Sequence, residues 1–210
     1  MTQNPKSFNR AKSRFKPQPT TLVICEDSKS GLNYLQDASV YFRADAKIEI
    51  SHCGRTDPLG IIKEAIKNKA NFDQIYCVID RDGHQTFDQA IVLAKTASNV
   101  NVIASFPCFE FWLLLHFGYC RKPYNAIGEN SSADLLIKDL CTKDLTIKNY
   151  NKGNDKSIFQ MLLGEKFKLA RKFSPMILKE AISDGALNPS TTLHILINKF
   201  EELSTPISFD

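Results

Sequence analysis

The sequence predicts an α/β protein: a mostly parallel sheet flanked by helices, followed by a helical C-terminal extension. Three observations carry this reading. Short runs such as Thr21-Leu22-Val23-Ile24-Cys25 and Ile75-Tyr76-Cys77-Val78-Ile79 show no polar alternation, as expected of strands covered on both faces. Segments of helical period separate these runs, which favours parallel strands joined by right-handed crossovers. Beyond residue 120, helical periodicity and lysine-rich loops continue with few convincing strands.

In order, the first strand spans 21–25. It gives way at Glu26-Asp27-Ser28-Lys29-Ser30-Gly31 to a helix over 31–42, with Leu32, Leu35 and Ala38 on one side and Ser28 or Ser30 available as N-cap. A strand at 47–52 follows. Gly54-Arg55-Thr56-Asp57-Pro58 is a turn whose proline opens a helix over 59–70. The strand at 74–79 runs into Asp80-Arg81-Asp82-Gly83-His84, and a helix over 87–98 leads to a short strand at 100–104. Residues 108–117 are almost wholly apolar, hold the single tryptophan, Trp112, and predict a buried helix. Helices over 131–143, 157–173 and 190–203 complete the chain, the last with Pro189-Ser190-Thr191 as its start signal. The expected organisation is a basic flexible arm over 1–19, an α/β domain over 20–120, and a mainly helical extension over 121–210 packed on it.

A chain of 210 residues can bury a sizeable core, and its 43% apolar and 24% charged residues are ordinary for a globular protein. No apolar run reaches the length of a bilayer span, and no apolar signal core follows the first basic residues, so neither a membrane nor a secreted protein is expected. The six cysteines, Cys25, Cys53, Cys77, Cys108, Cys120 and Cys141, include no Cys-x-x-Cys pair and lie mostly in apolar segments, which fits reduced thiols in a cytoplasmic protein. The net charge of +4 is mild. Its distribution says more, because Lys6, Arg10, Lys12, Arg14 and Lys16 are unaccompanied by acids in the first 19 residues. Such an arm either follows phosphates or is a solvated tail.

The acids at the strand ends carry the functional signal. In a parallel sheet the carboxyl ends of the strands face one crevice, where open α/β folds place ligands. Glu26 follows the first strand, and Asp80 and Asp82 follow the third. With a side-chain period of two, Asp80 and Asp82 are expected to point the same way at roughly 7 Å spacing. Three carboxylates in one crevice repel each other unless a cation neutralises them. A hard divalent ion, Mg²⁺ or Mn²⁺, does so while leaving positions for water and phosphate oxygen, and this points to phosphoryl chemistry. Asp-x-Asp-Gly after a strand is also common turn chemistry, so the pair gains weight only from the distant Glu26.

Several stretches together resemble the RloB family, which is related to the AbiLii abortive-infection proteins. They are Val23-Ile24-Cys25-Glu26 with Lys29 and Asn33-Tyr34; Val78-Ile79-Asp80-Arg81-Asp82; Ser105-Phe106-Pro107-Cys108-Phe109-Glu110-Phe111-Trp112-Leu113-Leu114-Leu115-His116-Phe117; and Asn188-Pro189-Ser190-Thr191-Thr192. The likeness runs from about residue 12 to residue 204. It implies a Toprim-like domain, the metal-binding α/β fold of topoisomerases, primases and OLD-type nucleases, in a bacterial anti-phage setting. It also implies a nuclease acting on DNA or on RNA such as tRNA, and a partner ATPase of the ABC or SMC-like type. By the same resemblance Glu26, Asp80 and Asp82 are the catalytic metal ligands, and Lys29 is a basic position that meets phosphate. Where members of the family often read Cys-Glu-Gly with a second glutamate five residues on, this chain has Asp27 and Gly31. One metal, or recruitment of Asp27 to a second, is therefore left open.

Other residues have two readings each. Glu110 is either a helix-dipole partner or a further ligand at the crevice. His84 is either a plain loop histidine or a proton shuttle or phosphate contact. Arg55 and Arg81 are candidates for stabilising phosphate charge. Tyr150-Asn151-Lys152-Gly153, within a broad basic population of Lys143, Lys148, Lys152, Lys156, Lys166, Lys168, Arg171 and Lys172, is either a solvated surface or a nucleic-acid loop with tyrosine stacking and lysine on phosphate. His116 is expected to be a hydrogen-bonded, partly buried histidine, and Trp112 a core residue. The rival to a nuclease is a non-catalytic nucleic-acid-binding or regulatory subunit of a defence ATPase; a homo-oligomer is compatible with either. A haloacid-dehalogenase-like phosphatase also uses Asp-x-Asp, but its usual Thr or Val two residues beyond the second acid is His84 here.

Overall fold

The computed structural model describes residues 20–153 and 157–204. The basic arm over 1–19 and Lys156 lie outside the described residues. The elements run β1 (Thr21–Cys25), α1 (Ser30–Tyr41), a 3₁₀ turn (Asp45–Lys47), β2 (Ile48–Ser51), α2 (Pro58–Asn68), β3 (Gln74–Asp80), α3 (Phe87–Ala94) and β4 (Val100–Phe106). Then follow α4 (Glu110–Leu114) with a 3₁₀ turn (Leu115–Phe117), α5 (Ser132–Leu140), α6 (Ile158–Met161), α7 (Glu165–Ser183), β5 (Ser190–Thr191) and α8 (Leu193–Ser204). The sheet order is β2-β1-β3-β4-β5, parallel throughout except for β5, which pairs antiparallel to β4.

The absence of polar alternation in the strands has the expected cause. Along β1, Leu22 and Ile24 join an apolar layer with Ile61, Ile62 and Phe87 of α2 and α3. Val23 and Cys25 face the other way, into a layer with Tyr34, Trp112, Phe159 and Phe200. Both faces are therefore dry, as the mostly parallel sheet flanked by helices requires.

The second layer fixes α4 firmly. Trp112 and Tyr34 are fully buried and pack edge to face with ring centroids 6.4 Å apart, and Tyr34 packs the same way on Phe109 at 5.6 Å. Such pairs contribute about 0.5–1.5 kcal/mol each beyond area burial. His116 lies between them, with Nδ1 3.0 Å from the Trp112 carbonyl oxygen and Nε2 3.2 Å from the Tyr34 hydroxyl. It is fully buried rather than partly so.

Four expectations need correction. Neither Ser28 nor Ser30 caps α1; Asp27 does so, with Oδ2 accepting the Gly31 N–H at 2.7 Å and Oδ1 the Lys29 N–H at 3.0 Å. The helix expected over 87–98 stops at Ala94, where the Thr96 hydroxyl donates to the Leu93 carbonyl at 2.7 Å. The single helix expected over 157–173 is two, α6 and α7, separated at Gly164, whose φ of 79° is the left-handed conformation glycine adopts without strain. Helix α7 then continues past Phe173 and through Pro175, because burial of Ala170, Ser174, Ile177 and Ala181 on one face outweighs the bond the proline cannot make. Ser190-Thr191 does not open the last helix; it forms β5 on the edge of β4, and α8 begins at Leu193. Asp57 does cap α2, accepting the Gly60 N–H at 2.7 Å ahead of Pro58.

Candidate functional site

The chain leaves β1 for β2 on one side and returns to lay β3 on the other, so the switch point of the topology lies between β1 and β3. Open α/β sheets form their ligand crevice outside the carboxyl ends of the strands at that point. Glu26, directly after β1, and Asp80, the last residue of β3, flank it.

The ladder between the two strands ends in a side chain. The Glu26 N–H donates to the Val78 carbonyl at 3.0 Å, and Glu26 Oε2 then accepts the Asp80 N–H at 2.9 Å. The other oxygen, Oε1, lies 2.8 Å from Nε2 of His84. His84 thus sits on a site acid rather than free in its loop. Arg81 holds it there, donating Nη1–H to the His84 carbonyl at 3.1 Å while its guanidinium lies 5.1 Å over the Phe87 ring.

Glu110 supplies a third carboxylate from α4. It is wholly buried. Its Oε1 accepts the Tyr150 hydroxyl at 3.1 Å and lies 3.8 Å from Nζ of Lys152. Its Oε2 is buried without a hydrogen-bond partner. Glu110 thus opens α4 while its carboxylate meets Tyr150 and Lys152.

The electrostatics tie these groups together. Burial raises the Asp80 carboxyl well above the ordinary aspartate range, Glu110 and Glu26 push it further, and Lys152 and the Phe109 N–H oppose them. Burial also raises Glu26, with the Asp80 N–H, His84 and Lys152 pulling down and Asp57 adding to the rise. Partial burial works against the charge on Lys152, but Glu110, Asp80 and Asp27 outweigh it and hold the ammonium above the ordinary lysine value. Beside them the Cys108 thiol is kept protonated by burial and by Glu110 and Asp80.

The remaining sequence candidates are placed less centrally. Asp82 does not continue the pleat. The Arg81 N–H bonds the Ser105 carbonyl, but the next bond to β4 comes from the Asp82 N–H to the Pro107 carbonyl at 3.0 Å, one residue early for a parallel ladder. Asp82 instead lines a small hollow of about 170 Å³ with Arg81, Ser132 and Asn188. Both oxygens of Asp27 serve the start of α1. Arg55 is exposed in the loop after β2, and its charge acts on Glu64 of α2. Lys29 is exposed, its stem lying against Gly153.

Of the basic population, Lys143, Lys166, Lys168 and Arg171 pair with Asp139, Asp144, Glu165 and Glu201 at 2.8, 2.8, 2.6 and 2.5 Å. Tyr150 is buried with its hydroxyl on Glu110, so it is no stacking platform for a base. The loop at 150–153, expected to face outward, turns back over the crevice. The buried glutamate that anchors it is forty residues away in sequence.

Carboxylate oxygens on Glu26 and Asp80 suit a hard ion such as Mg²⁺ or Mn²⁺, which takes one or two protein carboxylates and fills its shell with water. The repulsion that Glu110 and Glu26 exert on Asp80 and the orphaned Glu110 Oε2 fit a cation there. Among the described residues, no three or more His, Cys, Asp and Glu side chains are gathered as a ready metal cage. No described helix is long and apolar enough to cross a membrane.

Comparison with the curated proteins and with the solved structures gives no match. The family comparison does: residues 21–200, which include β1 to β5 and every acid of the crevice, match the RloB-like proteins, and the chain belongs to that family.

Proposed function

We propose that this protein is a divalent-metal-dependent nuclease that hydrolyses phosphodiesters of DNA or RNA, tRNA included, at the switch point between β1 and β3. The observation that carries the reading is the convergence of Glu26, Asp80 and Glu110 there, one of them with a buried oxygen that has no partner. Glu26 and Asp80 would hold the ion, with Glu110 completing the negative field. When bound, Mg²⁺ or Mn²⁺ polarises a phosphoryl oxygen and acidifies a coordinated water. Glu26 orients the attacking water and accepts its proton, and His84, 2.8 Å from Oε1, shares that proton. Arg81 acts through His84 as a positioning residue. Exposed Lys29 and partly exposed Lys152 lie at the mouth of the crevice, where a polyanion needs positive charge. The family resemblance adds a bacterial anti-phage role and a partner ATPase, and the scattered cysteines add a cytoplasmic setting.

A second reading has its own observation. Both oxygens of Glu26 already have partners and Lys152 lies over the acids, an arrangement that also suits a non-catalytic subunit that binds nucleic acid or regulates an ATPase. Labelled DNA and total tRNA incubated with Mg²⁺ or Mn²⁺ decide between them, with wild type beside Asp80→Ala and Glu26→Ala, alone and with a genomically adjacent ATPase. Cleavage lost in both variants supports the nuclease. Binding without cleavage under every condition supports the regulatory subunit.

A further inference from the structure

The loop at 150–153 is folded back by three anchors. The Tyr150 hydroxyl donates to Glu110 Oε1 at 3.1 Å, and the Gly153 N–H donates to Ser30 Oγ at 3.0 Å at the start of α1. The stem of Lys29 lies so close over Gly153 that an added Cβ would stand 2.2 Å from its Cδ. Gly153 itself has φ of 94°, a conformation that side-chain-bearing residues rarely adopt. Between the anchors, Lys152 Nζ comes 3.8 Å from Glu110 Oε1, and its charge acts on Glu26 and Asp80 as well.

We infer that Lys152 is a resident cation of the crevice, filling the place beside Glu110 that a second divalent ion would otherwise take, so that the chain loads one ion rather than two. The inference rests on the proposed metal site. Three carboxylates and one ammonium leave two negative charges, which a single divalent ion balances. Without the ammonium, the three acids would call for more than one. The position of Lys152 also bears on Gly31. Position 31 on α1 offers no carboxylate, the third acid is Glu110 of α4, and that acid already faces a cation.

The test counts bound ions. Mn²⁺ titration of the full chain, with free ion followed by electron paramagnetic resonance, compares wild type with Lys152→Gln, Lys152→Arg and Tyr150→Phe. One Mn²⁺ per chain is expected in wild type, in Lys152→Arg and in Tyr150→Phe, which loosens the loop and keeps the charge. Two are expected in Lys152→Gln. Thermal melts of all four establish that the variants fold, which a partly exposed side chain at 152 permits. Two ions in wild type, or one in Lys152→Gln, would overturn the role of Lys152 while leaving the metal site standing. No Mn²⁺ binding by wild type would instead remove the metal site itself, and the inference with it.

Discussion

Glu26 reaches from the end of β1 to the end of β3, its Oε2 accepting the backbone N–H of Asp80 at 2.9 Å. One carboxylate therefore closes the strand ladder and faces the crevice, and the two duties can be separated. In Glu26→Gln the amide oxygen still accepts the Asp80 N–H, but the group no longer accepts a proton. Its melting temperature should stay close to wild type while cleavage falls roughly 10²-fold or more. Glu26→Ala leaves the Asp80 N–H without its partner and should lose about 1–3 kcal/mol in addition. Denaturant melts beside single-turnover cleavage check both.

Asp80 should be a stability liability without metal. Burial and its two acidic neighbours raise its folded pKa, so the folded chain holds the proton more tightly than the unfolded one. Stability is then greatest below the unfolded aspartate value and declines as pH rises toward the folded pKa. Asp80→Asn removes that decline. At pH 8 without metal it should melt a few degrees above wild type, about 2–4 °C for each kcal/mol relieved. Added Mg²⁺ should raise the melting temperature of wild type and not that of Asp80→Asn, as differential scanning calorimetry would show.

His84 meets Glu26 Oε1 through Nε2, and so shares the proton that Glu26 would take. His84→Asn should cost about 10²-fold in kcat and change the shape of the pH–rate profile rather than merely scale it. Arg81→Lys, which cannot hold the His84 carbonyl from the same fork, should weaken activity less and leave the profile in place. An unchanged profile in His84→Asn would return that residue to an ordinary loop role.

Gly153 links the crevice loop to α1. Gly153→Ala combines a positive φ with a Cβ 2.2 Å from Lys29 Cδ, so either Lys29 moves or the loop lifts. A loss of about 1–2 kcal/mol is expected for the backbone strain. Because the loop carries Lys152 and the Tyr150 hydroxyl, hydrogen exchange at residues 150–153 should rise in the variant while the β1 and β3 amides stay protected.

The strands and most helices were legible because burial on both faces leaves a direct trace in composition: Leu22 and Ile24 face one layer, Val23 and Cys25 the other, and none is polar. Glu26 and Asp80 were legible for the same reason, since an acid that ends such a run stands out. Strand period places Asp82 beside Asp80, but the register slip at Pro107 that takes it off the pleat depends on β4, which no local pattern in 80–84 encodes. The Tyr150–Glu110 bond, the Gly153–Ser30 bond and β5 are likewise set by tertiary partners. A two-residue strand is too short to have a period. Asp27 is a candidate ligand by its place after Glu26, whereas the N–H groups exposed at the start of α1 claim both its oxygens.

His116 gives the fold a pH dependence of the opposite sign to that of Asp80. Burial lowers its pKa to about 4, against weaker raising effects from the Trp112 and Leu113 backbone and with Lys166 adding to the fall. The ring is neutral in the folded chain, one nitrogen on the Trp112 carbonyl and the other on the Tyr34 hydroxyl. Between the ordinary histidine value near 6.5 and about 4, the unfolded chain therefore binds the proton and the folded chain does not. The stabilisation is complete above pH 6.5 and is lost as pH falls through that window, by about 3 kcal/mol at its lower end. His194, buried with Nδ1 2.7 Å from Ser174 Oγ, is lowered in the same direction and adds to the slope. His116→Gln keeps polar groups facing both partners but cannot titrate. Urea melts from pH 7 to pH 4 should show a shallower decline in the variant than in wild type, shallower still in the double variant with His194→Gln. Equal slopes in wild type and both variants would mean that neither imidazole is kept neutral by the fold.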